Sequence, residues 1–150
     1  MYLGNLDAHR DWGYTKEYVE GMWRMLQQDQ PDDYLLATGR TASVREFLEL
    51  CLDRAGIPYR RHGAGKDEQY IDQRTGKCIV AIDPYYYRPS EVDRLQGDPA
   101  KAKAELGWEA KTTLPELASM MLEADFRLFG LSLPQGIPHD RAAALPLCQA

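Results

Sequence analysis

Two runs decide the fold: Tyr34-Leu35-Leu36-Ala37-Thr38-Gly39 and, just downstream, Ser43-Val44-Arg45-Glu46. The first is a short apolar run closed by glycine, the pattern of a buried strand. The second is a capping box. The serine hydroxyl can accept from the amide three residues on while the glutamate returns to the serine amide, so a helix starts there. Val44, Phe47, Leu48 and Cys51 then share one helical face, and Gly56 followed by Pro58 stops the helix near Ala55.

Toward the N-terminus, Tyr18, Val19, Met22, Trp23 and Leu26 recur at the spacing of an amphipathic helix that begins near Thr15 and ends before Pro31. Ahead of it, Met1 to Leu3 reads as the end of a strand turning at Gly4-Asn5. Toward the C-terminus, Tyr59-Arg60-Arg61-His62 reads as a short strand, and Gly63 to Lys77, polar and without periodicity, as a mobile loop. Cys78-Ile79-Val80-Ala81-Ile82 is a strand ending at Asp83-Pro84, and Pro89 places Arg88 in an extended loop. Asp98-Pro99 opens a helix that Gly107 closes. A second capping box, Thr113-Leu114-Pro115-Glu116, leads a helix whose predicted core face is Leu117, Met120, Met121, Ala124 and Leu128, with the methionines as core filler. Strands interleaved with capped helices place the chain in the α/β class. Residues 1–130 are expected to form the binding part of the chain, and 131–150, rich in proline and small residues, to be a flexible tail.

The 150 residues suffice for one compact domain, and 44% hydrophobic with 27% charged residues is the balance of a globular chain. Lys plus Arg (18) against Asp plus Glu (23) leaves a net charge of -5, which argues against a broad nucleic-acid surface. No apolar run approaches the roughly 20 residues of a membrane span, and Met1 to Asn5 shows no basic-then-apolar signal, so no membrane is expected and the expected compartment is the cytoplasm. Cys51, Cys78 and Cys148 form no CxxC pair and read as reduced thiols, Cys51 as a small buried hydrophobe. His9, His62 and His139 are scattered, and no metal site is assigned.

Complete catalytic machinery is not legible. Gly63-Ala64-Gly65 has Glu68 where a dinucleotide loop needs its third glycine, no tyrosine has a lysine four residues on, and there is no GxSxG elbow. Two arginines stand in informative company: Arg10 before Asp11-Trp12-Gly13, and Arg88 after three tyrosines and ahead of Glu91. A guanidinium suits a diphosphate because it stays charged and donates two parallel hydrogen bonds to one anion, aromatic rings can cover a base or sugar, and a carboxylate can accept from a ribose diol. Taken alone, each arginine reads first as a surface ion-pair partner, Arg10 with Asp11 and Arg88 with Glu91.

The chain is similar to the C-terminal part of the GDP-mannose 4,6-dehydratase family, extended short-chain dehydrogenases/reductases. The similarity rests on Leu3-Gly4-Asn5-Leu6-Asp7-Ala8, Arg10-Asp11-Trp12-Gly13, Tyr34 to Gly39, Ser43-Val44-Arg45-Glu46-Phe47, Asp83-Pro84, Tyr87-Arg88-Pro89-Ser90-Glu91-Val92 and Gly97-Asp98-Pro99-Ala100-Lys101-Ala102 through Leu106-Gly107-Trp108. It runs in order over roughly residues 1–128. What it implies is the Rossmann-like fold of that class without its N-terminal dinucleotide-binding half. The family converts GDP-mannose to GDP-4-keto-6-deoxymannose with NADP as a recycled hydride carrier. Its Tyr-xxx-Lys pair and glycine-rich loop belong to the N-terminal part, so no catalytic residue and no NADP site is expected in this chain. By the same resemblance Arg10 and Arg88 match the diphosphate-contacting arginines, Glu91 the acid near the ribose, and Leu3 and Trp12 positions lining the nucleotide. The strand at Tyr34 to Gly39 is implied to join the cofactor-binding sheet. The apolar stripe from Tyr18 to Leu26 is expected to need cover, from an N-terminal half or by self-association. A non-catalytic interaction module and an enzyme for a different nucleotide sugar are the competing readings.

Overall fold

The computed structural model describes residues 1–88 and 92–134. Both capping boxes start helices. Ser43 caps α2 (Val44–Arg54), with its Oγ accepting from the Glu46 amide at 3.1 Å and its own amide donating to Glu46 Oε2 at 2.6 Å. Thr113 precedes α4 (Leu114–Leu128), and its amide donates to Glu116 Oε2 at 2.7 Å. Among the described residues α1 (Thr15–Met25) and α3 (Ala100–Leu106) complete the helices, and Gly107 closes α3 as expected, in the left-handed region.

The described residues also form six strands: β1 (Tyr2–Leu3), β2 (His9–Asp11), β3 (Thr41–Ser43), β4 (Tyr59–His62), β5 (Gln69–Asp72) and β6 (Cys78–Ile82). Four form one sheet in the order β1-β6-β5-β4. β1 runs parallel to β6, with Leu3 opposite Ile82, and the other pairings are antiparallel. β2 and β3 form a separate antiparallel pair that places Arg10 opposite Ala42.

Two cores result. In one, Leu48 and Leu52 of α2 pack with Leu6, Tyr70, Val80 and Ile82 against one face of the four-stranded sheet. In the other, Trp108 lies among Ala102, Leu106, Tyr18, Tyr34 and Leu36. α1 reaches this second core through Gly21, where a Cβ would stand 2.7 Å from a Leu36 methyl and 3.0 Å from Trp108 Nε1. A Cβ there would have to displace the Leu36 methyls, so glycine at this position serves close approach rather than dihedral freedom.

Three sequence expectations are corrected. Tyr34 to Gly39, read as a strand, joins no ladder among the described residues. Part of its backbone is satisfied by a side chain instead, since the Thr38 and Gly39 amides donate to the Asp11 carboxylate. Gly63 to Lys77 is not a loop throughout: it contains a one-turn 3-10 helix at Gly65–Asp67 and then β5, which lies between β4 and β6. Tyr70, with no exposed surface, supplies the core contact that the surrounding charges hide from a periodicity count. Third, Met120, Met121 and Leu128 of α4 are exposed, at 36%, 48% and 78%, and Ala124 is exposed too, while Leu117 and Ala118 are buried. The helix carries adjacent apolar stripes, and its rotation is fixed by Arg54, whose Nε donates to Ser119 Oγ and Nη2 to Glu123, both at 3.2 Å.

Burial raises Tyr70 from the ordinary phenol value of 10 to about 12, aided by its hydrogen bond to Glu49. The neutral phenol is therefore favoured by folding, and this contribution is whole below pH 10 and disappears as pH climbs toward 12. Urea midpoints measured between pH 9 and 12 should fall steeply for the native chain and less steeply for Tyr70→Phe.

Among the described residues no helix is long and apolar enough to cross a membrane.

Candidate functional site

In open α/β sheets, ligands collect outside the carboxyl ends of parallel strands, where loops diverge and backbone groups are unpaired. Here that edge is the shared end of β1 and β6. The Asp83 amide donates to the Leu3 carbonyl at 2.9 Å, joining the two chain exits. From β6 the chain turns at Asp83, which accepts from the Tyr86 amide through its carbonyl at 3.0 Å and from the Tyr85 amide through Oδ1 at 2.9 Å. From β1 it passes through Gly4, directly beneath this turn. A Cβ at Gly4 would lie 2.5 Å from the Tyr86 carbonyl oxygen, so only glycine lets the two loops pack this closely.

The chain after Gly4 leads into β2, which returns to the same neighbourhood. The His9 amide donates to the Asp93 carbonyl at 2.7 Å and the Leu95 amide to the His9 carbonyl at 3.1 Å. Arg10 Nη1 donates to the carbonyls of His9 at 2.8 Å and Val92 at 2.9 Å. Arg88, exposed, precedes Val92 by four residues, a reach of at most about 14 Å along the backbone. The Arg10 guanidinium is thus held at one end of the short segment that begins with Arg88. Leu3 packs against the sheet core, and Trp12 donates from Nε1 to the Ala42 carbonyl at 2.9 Å while its ring stacks on Phe47 at 4.8 Å. Glu91 lies outside the described residues.

Two side chains that sequence reasoning treated as minor organise this region. Asp11, read from the sequence as a partner for Arg10, directs its carboxylate to the Thr38 amide (2.8 Å), Thr38 Oγ1 (2.6 Å) and the Gly39 amide (3.0 Å). The Gly97 amide also approaches it at 3.3 Å. Arg45, read only as part of a capping box, grips the buried Glu68 with both Nη atoms, donates to Tyr70 Oη and pairs with Asp7 in the loop between β1 and β2. Those carboxylates hold the Arg45 guanidinium well above its ordinary pKa. The signal available for Asp11 was only its adjacency to Arg10 and Trp12.

Cys51 has its thiol pushed up by burial, which suits a core position rather than a nucleophile. A dinucleotide needs successive amides opening a full helix, but Gly63-Ala64-Gly65 leads into a single turn that ends at Asp67 and the ion-paired Glu68. These residues do not fit a pyrophosphate cradle. A cavity of about 270 Å³ beside the end of α4 is lined by Glu123, Phe126, Arg127, Gly130, Leu131 and Leu133 and includes none of the expected site residues.

This arrangement of strands and helices recurs in solved structures. Over 86% of this chain and 35% of the other, it matches a UDP-glucose 4-epimerase from Thermotoga maritima in complex with UDP-glucose, with a TM-score of 0.64 at 20% identity. RMD from Pseudomonas aeruginosa, complexed with NADPH, matches over 82% of this chain and 34% of its own, with a TM-score of 0.62 at 19% identity. The fold is therefore of the class that these two proteins share over about a third of their own length.

Within that class the sequence is more specific, since the family model for GDP-mannose 4,6 dehydratase matches residues 1–121, and the chain belongs to that family. It is 54% identical over 125 residues to the GDP-mannose 4,6-dehydratase of Sinorhizobium fredii, covering 83% of this chain and 36% of that protein. Against the human GDP-mannose 4,6 dehydratase it is 48% identical over 126 residues, covering 84% and 34% respectively. The chain spans about a third of the length of these relatives.

Proposed function

We propose that this chain supplies the nucleotide-sugar recognition part of a GDP-mannose 4,6-dehydratase, with Arg10 and Arg88 binding the diphosphate of GDP-mannose. The observation that supports this reading is the bonding of β2, which bears Arg10, to residues 92–95, which begin four positions after Arg88. Arg10 is anchored to the Val92 carbonyl, and the loop bearing Arg88 leaves the end of β6 that is bonded to Leu3. An anion between two guanidiniums gains charge-assisted hydrogen bonds that neither arginine could supply in duplicate. Glu91 serves the ribose, and Leu3 and Trp12 flank the nucleotide. Conversion to GDP-4-keto-6-deoxymannose, with hydride carried by NADP, belongs to the intact polypeptide. The acid, base and cofactor-binding residues lie outside this chain, which carries no Tyr-xxx-Lys pair.

Calorimetric titration of the 150-residue chain with GDP, UDP and dTDP tests the reading. GDP should bind most tightly, and Arg88→Ala should weaken it about tenfold or more. Equal affinity for the three diphosphates would point to another nucleotide-sugar enzyme. An absence of binding at millimolar GDP would point to an interaction module.

The same reading accounts for the outer face of α1. Tyr18 turns into the Trp108 core, but Val19, Met22, Trp23 and Leu26 remain 57%, 55%, 61% and 82% exposed. Four large apolar side chains on successive turns form a surface of the kind that associates. In the intact polypeptide this face is covered, and in the isolated chain it drives self-association. Sedimentation velocity should show oligomers that Trp23→Glu dissociates, and a monodisperse native monomer would contradict this.

A further inference from the structure

β2, which carries Arg10, is bonded through its backbone to residues 93 and 95, which follow Arg88 in the chain, and the Asp11 side chain reaches across the same junction. The Asp11 backbone belongs to β2, beside Arg10, and pairs with Thr41 of β3. Its Oδ1 accepts from the amide and hydroxyl of Thr38, and its Oδ2 from the Gly39 amide. Gln96 Nε2 donates to the Gly39 carbonyl at 2.6 Å, and Gly97 packs so closely on Ala37 that a Cβ there would overlap it. The Val92–Gly97 segment is therefore clamped between β2 on one side and residues 37–39 on the other, with the Asp11 carboxylate at the junction.

We infer that Asp11 is a positioning residue for diphosphate recognition: by fixing residues 38–39 and the 92–97 segment against β2, it sets the spacing between the Arg10 guanidinium and the Val92 carbonyl that orients it. The inference rests on the reading of Arg10 as a phosphate ligand. The chemistry favours a carboxylate here over an amide or hydroxyl. All the groups facing it are donors, and an ionised acid accepts from several at once with charge-assisted strength. In Asp11→Asn one oxygen becomes an NH2 group that faces a donor, so one side of the junction must open while the side-chain volume stays the same.

Two measurements on the 150-residue chain decide it. Amide hydrogen exchange needs no ligand. In Asp11→Asn, exchange should accelerate at Thr38 and Gly39 and also at His9 and Leu95, whose bonds join β2 to the 92–97 segment, with β5 and β6 unchanged. If His9 and Leu95 keep native protection, Asp11 does not hold the segments together and the proposal is overturned. Titration with GDP and guanosine gives the functional arm. Asp11→Asn should weaken GDP about tenfold and leave guanosine, which has no phosphate, unchanged, and in an Arg10→Ala background it should cost nothing further. Equal losses for GDP and guanosine would reduce Asp11 to a general structural role. Native GDP affinity insensitive to Arg10→Ala would remove the diphosphate reading itself, while the exchange result would still report whether the junction exists.

Discussion

Replacing Arg45 with methionine lowers the free energy of unfolding by about 3–5 kcal/mol, the range for breaking a buried ion pair by removing one partner. Arg45 and Glu68 have side chains only 17% and 6% exposed, so the methionine would strand a carboxylate that has given up its water. Two contacts compete for credit. Asp7, also paired with Arg45, is 68% exposed and contributes at most about 1 kcal/mol. The Tyr70 hydroxyl keeps its bond to Glu49 when Arg45 is gone. The uncompensated Glu68 therefore dominates. Urea unfolding of Arg45→Met, Asp7→Asn and the double variant Arg45→Met/Glu68→Met measures this directly. The double variant should be more stable than Arg45→Met alone, because the stranded charge has been removed. If the two are equal, the loss comes from packing and the ion pair is incidental.

Trp108→Ala should cost about 3–5 kcal/mol by the cavity it leaves, and its consequences should reach both helices that share the second core. Trp108 is 2% exposed, its ring lies 5.7 Å from that of Tyr18, and its Nε1 donates to the Glu17 carbonyl at 2.7 Å. Glu17 in turn accepts through Oε1 from the Lys111 amide at 3.1 Å and Thr112 Oγ1 at 3.0 Å, so α1 is tied to the chain that follows α3 at both levels. Trp108→Phe keeps most of the volume and loses the indole donor, at about 1–2 kcal/mol. Thermal unfolding should rank native above Trp108→Phe above Trp108→Ala. Exchange should rise in α1 more than in α2, which packs on the other core. Uniform acceleration across both helices would mean that the two cores unfold as one.

The ends of the helices were readable because their signals are local. Ser43 and Glu46, Thr113 and Glu116, and Gly107 act within a single turn of chain. The order of strands in the sheet was not. β5 owes its place to Tyr70 and to the pairing of Glu68 with Arg45, residues separated by more than twenty positions and united only by folding. Tyr34 to Gly39 marks the limit of a local pattern: an apolar run predicts burial, and Ala37 is buried, but a ladder also needs a neighbouring strand, which none of the described residues supplies, and Asp11 takes the amides of Thr38 and Gly39. In α4, apolar periodicity supplied a helix but not its rotation, which depends on Arg54 in another element. As for the site, Arg10 and Arg88 stood out by their neighbours in sequence, whereas the role of Asp11 appears only once residues 38, 39 and 97 are brought around it.

The proposed recognition of GDP by this chain requires one diphosphate to engage both arginines. A double-mutant cycle with Arg10→Ala and Arg88→Ala, read by calorimetric titration of GDP, asks this most directly. Each single change should weaken GDP by about tenfold to a hundredfold, and the double variant should lose clearly less than the product of the two, because both side chains act on the same ligand group. Independent losses that multiply, or GDP affinity unchanged by either substitution, would contradict it.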